Sequence, residues 1–590
     1  MSDDAQTPTP MPTPNDCDLP RRRSDFATFA EAIDYAAKSE KGLNFHDMRG
    51  ALERVYPYSE MRADAMKAAR QFAAMGIEKG DRVALVAETG AEFAALFCGC
   101  IYAGAWPVPL PLPTGFGGKE GYIEQLSVQL DSSDPKILIY PAEIAEMAGA
   151  AAERQGCEGQ SWEDFSQRPD PEADLPEADP QDICYLQYSS GSTRFPTGVA
   201  VTHEALLHNL YGHASGVNLG ENDRVVSWLP WYHDMGLVGC FLSPIANQAS
   251  VDYIRTEHFA RRPLAWLDLI SRNQGNTLSY SPTFGYDICA RRISSQSNVG
   301  ERLDLSRWRT AGNGADMIRP DVMQNFVNAF AGAGFRASAF TPSYGLAEAT
   351  LAVTVMPPGE GIRVELVEEE RLSGRPRDLS RPARYRAIVN CGRPLPGMEV
   401  EIRGPDDGED DNPRGDHQIG KVWCRGKSVM HSYFRNQQAT EDCLVANADG
   451  EVWLDTGDMG YMADGYLFIV GRAKDMIIIN GKNHWPQDIE WAVEQLPGCN
   501  HGDIAAFSVE TDNGEEAPAV LVHCRVSEPE ERIKLRNQIA DKVRGVTGMN
   551  CVVELVPPRS LPRTSSGKLS RAKAKKLYLS GEIQPLDLAA

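Results

Sequence analysis

Short apolar runs and longer amphipathic stretches alternate along most of this chain. The run RVALVAE at 82–88 has the length and composition of a buried strand, and AEFAALF at 91–97 follows it with a helical pattern. The same order recurs where KILIY at 136–140 precedes EIAEMAGAAAE, and where RVVSWLP at 224–230 precedes RPLAWLDLISR. Strands that alternate with helices predict an α/β fold with mainly parallel sheets.

One predicted helix has signals at both ends. Ser59 is of a type that caps helix N-termini, Gly76 is of a type that follows C-termini, and Ala65, Ala69 and Phe72 between them share one face. We therefore predict a helix that Ser59 caps and Gly76 ends.

The uncharged segment 94–113, AALFCGCIYAGAWPVPLPLP, is about long enough to span a bilayer. Prolines occupy every second position from Pro107 to Pro113, which the interior of a helix does not tolerate. We interpret the segment as a buried helix that continues into an extended stretch, and we expect no stable membrane anchor.

Changes in composition suggest three parts. Residues 1–24 are rich in Thr and Pro and predict a disordered tail. Residues 25–473 predict a large multi-lobed domain with a small β-rich lobe, because two strands joined by an acidic loop follow position 398. Residues 474–590 predict a small, mobile α+β domain, in which the run DMIII precedes a helix from Pro486 and a strand VVELV.

Charge narrows the possible partners. The 590 residues include 59 Lys and Arg against 82 Asp and Glu, which gives a formal net charge of −23. A protein this acidic is not expected to bind nucleic acid or an anionic membrane, and any anionic ligand must meet local cations. The 13 cysteines are scattered and the N-terminus has no apolar signal region. We therefore expect reduced thiols in a cytoplasmic enzyme.

A phosphate-binding loop is predicted in LQYSSGSTRFPTGVAVTH at 186–203. A β-type run ends there in four hydroxyl residues and one glycine, Ser189, Ser190, Gly191, Ser192 and Thr193. Such a loop offers backbone N–H groups and small donors to phosphate oxygens. No Gly-Lys-Ser/Thr follows at Walker spacing, so the loop is not a P-loop of that kind.

Six further motifs follow in a fixed order: WYHDMGL at 231–237, AGNGAD at 311–316, TPSYGLAEAT at 341–350, LDTGDMG at 454–460, GRAKDMIIINGKNHWPQDIE at 471–490 and LPRTSSGKLSR at 561–571. With them the chain resembles the adenylate-forming superfamily of acyl-CoA synthetases, nonribosomal peptide adenylation domains and luciferases. Within that superfamily it looks most like the fatty acyl-AMP ligases. The resemblance covers nearly everything after the tail.

The resemblance implies that a carboxylate attacks ATP to give acyl-AMP and pyrophosphate, with Mg²⁺ present, and that the acyl group then passes to a thiol. It also implies a role for residues at matching positions: Lys568 as the catalytic cation, His233 as a gate at the carboxylate end of the acyl pocket, Gly314, Ala315 and Tyr344 at adenine, Asp458 and Arg472 at ribose, Glu348 and Thr193 at Mg²⁺ and phosphate, and Lys474 as the hinge of the small domain.

Two features depart from the common superfamily pattern. The phosphate loop commonly reads Gly-x-Pro-Lys-Gly, whereas here Thr197 replaces the lysine and Arg194 brings a new cation that we expect at the pyrophosphate. Ala347 stands where many members have threonine. Both departures are typical of fatty acyl-AMP ligases.

The long segment 356–390 bears on the acceptor, because acyl-CoA synthetases are usually much shorter there. In the acyl-AMP ligases an insertion at this place is associated with failure to use coenzyme A and with transfer to an acyl carrier protein. Carrier proteins are acidic, so docking needs local positive charge. The run that follows Lys568 is the expected contact, with Arg571, Lys573, Lys575 and Lys576.

Four functions stay open at this point. The favoured one is fatty acid activation with transfer to the phosphopantetheine thiol of a carrier protein, and the nearest alternative is a fatty acyl-CoA ligase. The third is adenylation of an amino or aryl acid. The fourth is a catalytically silent binding protein, against which the presence of Lys568, Asp458 and Glu348 together argues.

Overall fold

The computed structural model describes residues 19–113, 118–188, 197–294, 303–372, 383–404, 413–447, 449–479, 482–500, 502–510, 516–563 and 569–587. The strands are β1 Gly42–His46, β2 Leu52–Pro57, β3 Arg82–Val86, β4 Trp106–Leu110, β5 Ile137–Tyr140, β6 Glu158–Ser161, β7 Ile183–Tyr188, β8 Gly198–Thr202, β9 Asp223–Ser227, β10 Val251–Ile254, β11 Asn276–Ser281, β12 Trp308–Asn313, β13 Phe340–Gly345, β14 Ala352–Val355, β15 Val364–Glu368, β16 Tyr385–Val389, β17 Arg393–Pro394, β18 Met398–Arg403, β19 Gly420–Gly426, β20 Ser432–Tyr433, β21 Leu444–Ala446, β22 Val452–Ala463, β23 Tyr466–Arg472, β24 Ile477–Ile479, β25 Lys482–His484, β26 Ile504–Glu510, β27 Glu516–His523 and β28 Val552–Val556.

The α-helices are α1 Phe29–Ala36, α2 Tyr58–Ala74, α3 Ala91–Tyr102, α4 Gly118–Ser133, α5 Ala145–Gln155, α6 Trp162–Ser166, α7 His203–Gly216, α8 Ser243–Ala246, α9 Thr256–Arg261, α10 Leu264–Arg272, α11 Thr283–Ser294, α12 Pro320–Phe330, α13 Glu369–Leu372, α14 Gln437–Cys443, α15 Pro486–Glu494, α16 Pro529–Thr547 and α17 Arg571–Leu579. A π-helix at Met235–Leu242 leads into α8.

A nine-stranded sheet forms the centre of the N-terminal part, in the order β17-β14-β13-β12-β11-β9-β10-β1-β2. Its six inner strands from β13 to β1 run parallel, and antiparallel strands close both edges. A second sheet, β4-β3-β5-β6, is wholly parallel. Helices supply the crossovers that parallel strands require, so the predicted α/β fold is confirmed.

Antiparallel strands make up the rest of the N-terminal part. Strands β7, β8 and β20 form a small sheet, and β18, β19, β21, β22 and β23 form the predicted β-rich lobe. Strands β18 and β19 pair antiparallel, as predicted for the two strands around the acidic loop. The segment that contains 356–390 adds a hairpin of β15 and β16.

The predicted cap of α2 is wrong. The helix begins at Tyr58, Pro57 precedes it without a side-chain cap, and Ser59 lies inside the first turn. Packing fixes this start, because Tyr58 is buried and its hydroxyl donates to the Ala249 carbonyl at 2.7 Å. The apolar face is confirmed, and Gly76 follows the helix with a φ of +78°.

The apolar segment 94–113 contains the end of α3 and the whole of β4, as predicted. Every helix of the described residues is too short or too polar to cross a membrane.

The end of the predicted tail is ordered, so that prediction is wrong for residues 19–24. Arg21 donates through Nε to the Asn247 carbonyl at 3.0 Å, and the Arg22 amide donates to Gln248 Oε1 at 2.8 Å. Both acceptor residues follow α8, and the Asn247 carbonyl is one of the backbone groups that a helix end leaves without an internal partner. The earlier tail residues lie outside the described ranges.

The smaller C-terminal region contains the sheets β24-β25 and β26-β27-β28 with helices α15 to α17. The predicted strands in DMIII and VVELV are β24 and β28, and α15 begins at Pro486 as predicted. Apolar side chains of these elements form cores of their own. The boundary at 473/474 remains a prediction and falls in a 3₁₀ turn at Ala473–Asp475.

Candidate active site

One cavity brings together residues that lie far apart in the sequence. It holds about 960 Å³ of empty space, including the part open to solvent. Five of its lining residues were predicted from four separate motifs: His233, Ala315, Tyr344, Glu348 and Arg472. Parallel strands β9, β12 and β13 end beside it, so the cavity lies at the edge where α/β sheets bind ligands.

Asp458 reaches this cavity through two of the lining residues. Its Oδ1 accepts from Arg472 Nε at 3.1 Å, and its Oδ2 accepts from the Tyr344 hydroxyl at 2.7 Å. The pairing of β22 with β23 sets Asp458 opposite Arg472. Burial raises the pKa of Asp458, and the positive charge of Arg472 opposes this shift. The charge of Asp458 in turn raises the pKa of Arg472. The carboxylate is thus held with lone pairs left for further donors.

Gly314 and Ala315 follow β12 and lie against the end of β13. A Cβ on Gly314 would stand 2.9 Å from the Ser343 carbonyl oxygen, so only glycine permits this approach. Ala315 has a φ of +69°, a left-handed conformation that few residues other than glycine adopt. Ala315 and Ser343 line the cavity beside Tyr344. The backbones of the Gly314–Ala315 segment and of Ser343 therefore lie close together at this part of the cavity, beside the ring of Tyr344.

Glu348 lies in a 3₁₀ turn after β13. Its Oε1 accepts from the Tyr433 hydroxyl at 2.7 Å. Burial raises the pKa of Glu348, and the Tyr433 hydrogen bond and the charge of Arg472 oppose the shift. A nearby cation stabilises the charged form of a desolvated carboxylate of this kind.

His233 lies in the loop between β9 and the π-helix. Its Nδ1 is 2.6 Å from Asp234 Oδ1, and the Met235 amide donates to Asp234 Oδ1 at 2.7 Å. Both His233 and Asp234 line the cavity. The sequence reasoning missed Asp234, although it is the next residue in the same motif.

Several predicted residues cannot be placed. Lys568 and the phosphate-loop residues Ser189, Ser190, Gly191, Ser192, Thr193 and Arg194 lie outside the described residues. Tyr188, which directly precedes that loop, lines the cavity. Lys474 is exposed and belongs to the 3₁₀ turn, apart from the cavity lining.

The basic run after Lys568 divides into two kinds of residue. Arg571 binds Glu490 through two hydrogen bonds of 2.7 Å and contacts Asp475 at 2.9 Å. The prediction that Arg571 offers charge to a partner is therefore wrong, because two internal carboxylates use that charge. Lys575 donates to Ser508 Oγ at 3.2 Å. Lys573 and Lys576 are exposed on α17.

Three more residues of the site were missed: Tyr433, His213 and Tyr280. Tyr433 holds Glu348 from a different sheet. His213 and Tyr280 line the cavity. None of the three belongs to one of the seven motifs, so the sequence offered no signal for them.

Comparison with known proteins identifies the family. The AMP-binding enzyme family matches residues 45–434. The chain belongs to this family. A solved structure from work on fatty acyl-adenylate ligases of E. coli and L. pneumophila superposes on this AMP-binding enzyme with a TM-score of 0.88 and 41% identity, over 95% of this chain and all of that one.

Two curated relatives carry different names. A Caulobacter vibrioides protein, named as a candidate acyl-CoA synthetase, is 46% identical and covers 97% of this chain and 98% of its own. The medium-chain fatty acid–acyl-carrier-protein ligase JamA of Moorena producens is 32% identical, and the match covers 96% of this chain and 95% of JamA. This AMP-binding enzyme is thus an ATP-dependent acid ligase related to the fatty acyl-AMP and acyl-CoA ligases.

Proposed function

We propose that this AMP-binding enzyme activates a fatty acid as acyl-AMP and passes the acyl group to the phosphopantetheine thiol of an acyl carrier protein. The choice of acceptor rests on one observation, the packing of the 356–390 segment against the C-terminal region. The name and acceptor of JamA support the same choice.

An apolar cluster carries this packing. Val367, Leu372 and Ile388 of the segment share it with Phe468 of β23 and Trp485 of the C-terminal region. The indole N–H of Trp485 donates to the Leu372 carbonyl at 3.2 Å.

An ion pair adds to it. Arg386 Nε lies 3.2 Å from Asp488 Oδ1 on α15, and Arg386 Nη2 donates to the Val470 carbonyl at 2.9 Å. The Arg386 side chain is only 4% exposed, and burial raises the pKa of Asp488 despite the charge of the arginine. The segment therefore joins the two parts of the chain at their interface.

These contacts favour a carrier protein because any turn of the C-terminal region about Lys474 must break them. A ligand shifts such an equilibrium only by its differential affinity for the two arrangements. A docked carrier protein supplies an interface that offsets the cost, whereas free coenzyme A brings only its own contacts. We infer that coenzyme A is a poor acceptor for this reason.

In the first half-reaction we assign a role to each residue that the resemblance named. Tyr344, Gly314 and Ala315 hold adenine, while Asp458 and Arg472 hold the ribose hydroxyls. His233 closes the carboxylate end of the acyl pocket, and Lys568 stabilises the charge that develops between carboxylate and α-phosphate. The loop from Ser189 to Arg194 holds the leaving pyrophosphate.

Mg²⁺ fits this donor set. Among the described residues no group of three or more His, Cys, Asp or Glu side chains is arranged to hold a metal. Mg²⁺ is usually held by one or two carboxylates together with substrate phosphates and water. We propose that Glu348 is that carboxylate, with Thr193 beside it, and that the ion neutralises phosphate charge.

An acceptor assay tests the proposal. The enzyme is given ATP, Mg²⁺ and a fatty acid, and then either coenzyme A or a holo carrier protein. We expect acyl-AMP in both, followed by acylated carrier protein and no appreciable acyl-CoA. Efficient acyl-CoA synthesis would instead assign the enzyme to the acyl-CoA ligases, and activation of amino or aryl acids alone would point to the third alternative.

Weakening the interface is expected to release some acyl-CoA synthesis. Removing one partner of the Arg386–Asp488 pair would leave a buried charge, at about 3 to 5 kcal/mol. The double variant Arg386→Gln/Asp488→Asn avoids this. We expect it to retain acyl-AMP formation and to yield acyl-CoA detectable by chromatography.

The matched control changes a more exposed pair, Arg425→Gln/Glu399→Gln, whose side chains are 2.7 Å apart. This control variant should make acyl-AMP and yield no acyl-CoA. If the Arg386/Asp488 double variant adenylates normally and still makes none, the interface does not set the choice of acceptor.

Charge on α17 is expected to affect only the second half-reaction. Lys573→Glu/Lys576→Glu should slow transfer to an acidic carrier protein roughly tenfold at low salt and reduce its salt dependence, because such charges act on association. Single-turnover acyl-AMP formation should be unchanged. The control, Lys534→Glu/Lys542→Glu, reverses two lysines of α16, of which Lys534 is exposed and Lys542 half-buried. Transfer that stays normal across a salt series would place the docking site elsewhere.

A further inference from the structure

The cavity is also lined by residues to which the proposed nucleotide site gives no role. Four of them are apolar: Gly239 of the π-helix, Leu351, and Ala352 and Val355 of β14. Two others have polar side chains, His213 of α7 and Tyr280 of β11. An acyl chain that binds among these apolar residues would meet both polar side chains.

His213 and Tyr280 form a buried pair. His213 Nε2 is 2.8 Å from the Tyr280 hydroxyl oxygen, and each residue is 6% exposed. Gly312, on the neighbouring strand, makes room for the phenol ring, since a Cβ there would lie 1.9 Å from it. The other imidazole nitrogen, His213 Nδ1, has no hydrogen-bond partner among the described residues.

The imidazole of this pair is neutral at physiological pH. Burial lowers the pKa of His213 to about 4, so the ring carries one proton on either Nδ1 or Nε2. If Nδ1 carried it, a buried N–H would be left without an acceptor, which is the rarer and costlier defect. The proton therefore belongs on Nε2, which donates to Tyr280 and leaves the phenol O–H available to another acceptor.

A plain alkyl chain offers nothing to that O–H, whereas a hydroxyl group on the chain does. A hydroxyl both accepts and donates, so it satisfies Tyr280 in either arrangement of protons. A second carboxylate also accepts, but at this pair it would be buried beside a neutral imidazole and a neutral phenol.

We propose that the acid activated by this enzyme carries a hydroxyl group at the chain position that reaches the His213–Tyr280 pair. The inference rests on the proposed function and narrows its substrate class from fatty acids to hydroxylated acids. The pair acts as a specificity element, because leaving a buried donor unpaired penalises the acid that lacks the hydroxyl.

A competition experiment tests this. The enzyme is incubated with ATP, Mg²⁺ and equal amounts of a straight-chain fatty acid, its hydroxylated isomers from the 2- to the ω-position, and the dicarboxylic acid of equal length. Acyl-adenylates are counted by mass spectrometry. We expect at least one hydroxy acid to be preferred about tenfold or more over the parent acid, and the dicarboxylic acid to be disfavoured.

Tyr280→Phe removes only the hydroxyl. This variant and His213→Phe should each bring the ratio of hydroxyacyl-adenylate to parent acyl-adenylate close to one. The control Tyr286→Phe deletes a hydroxyl that donates to the Gly312 carbonyl at 2.8 Å, outside the cavity, and should keep the preference. Thermal melting checks that each variant is folded.

Two results would overturn the inference. The inference fails if the wild type adenylates the parent acid and every hydroxy isomer equally, although fatty acid activation itself would then stand. It also fails if Tyr280→Phe leaves the preference for the hydroxy acid unchanged. Failure to adenylate any acid of the panel would refute the proposed function and this inference together.

Discussion

Lys568→Ala is expected to slow acyl-AMP formation about 10²- to 10³-fold while ATP still binds. A cation aimed at charge that develops in the transition state contributes little to the ground state, so the loss should fall on the rate. The two flanks of its loop are anchored. The Leu561 amide donates to His523 Nε2 at 3.1 Å, and Arg563 Nη2 donates to the Gly502 carbonyl at 2.7 Å, while Arg563 and Leu569 form a bridge across the loop.

The measurement is a single-turnover rate beside a nucleotide titration. Lys573→Ala is the matched control, because Lys573 is an exposed lysine on the helix that follows the same loop. A Lys568→Ala variant that keeps more than about a third of the wild-type rate would exclude the assigned role, given the magnitude expected for such a donor.

Asp458→Ala is expected to weaken ATP binding about 10²-fold or more. Hydrogen bonds to a charged group contribute about 1.5 to 3 kcal/mol each, and the ribose offers two hydroxyls to this carboxylate. The loss should appear mainly in affinity, since the clamp holds ground state and transition state alike. Asp458→Asn, which keeps the shape, should lose much of the same affinity.

Nucleotide titration measures this, with Asp455→Asn as the control on the same strand. Asp455 accepts from Lys421 at 3.3 Å and does not line the cavity. Because burial raises the pKa of Asp458, affinity for ATP should begin to fall at a higher pH than an ordinary aspartate would give. An affinity for ATP that Asp458→Ala leaves intact would remove Asp458 from the nucleotide site.

Much of the candidate site follows from the sequence, since its motifs lie where strands of the sheet end. Glycine at 314, for example, is required by the close approach of Ser343 and is visible as a residue type in AGNGAD. The resemblance then gave each motif a role, and five of the residues it named line one cavity. The role of each of these residues remains a prediction, and Lys568 and the phosphate-loop residues lie outside the described residues.

The errors share a cause. Ser59 was expected to cap a helix on local grounds, but the buried hydroxyl bond of Tyr58 to Ala249 fixes where α2 begins. Arg571 has the composition of a basic surface, yet Glu490, 81 residues earlier, binds it. In each case a partner distant in sequence outweighed a correct local tendency.

By itself the sequence determined the α/β order of elements, the acidic charge and the identity of the nucleotide motifs, because period, composition and residue type act over a few positions. Only the tertiary structure decided that the 356–390 segment packs on Trp485 and Asp488, and that His213 meets Tyr280 across 67 residues. Burial makes polar groups costly unless they are paired and strengthens the pairs that form, and no local pattern specifies which residues are buried together.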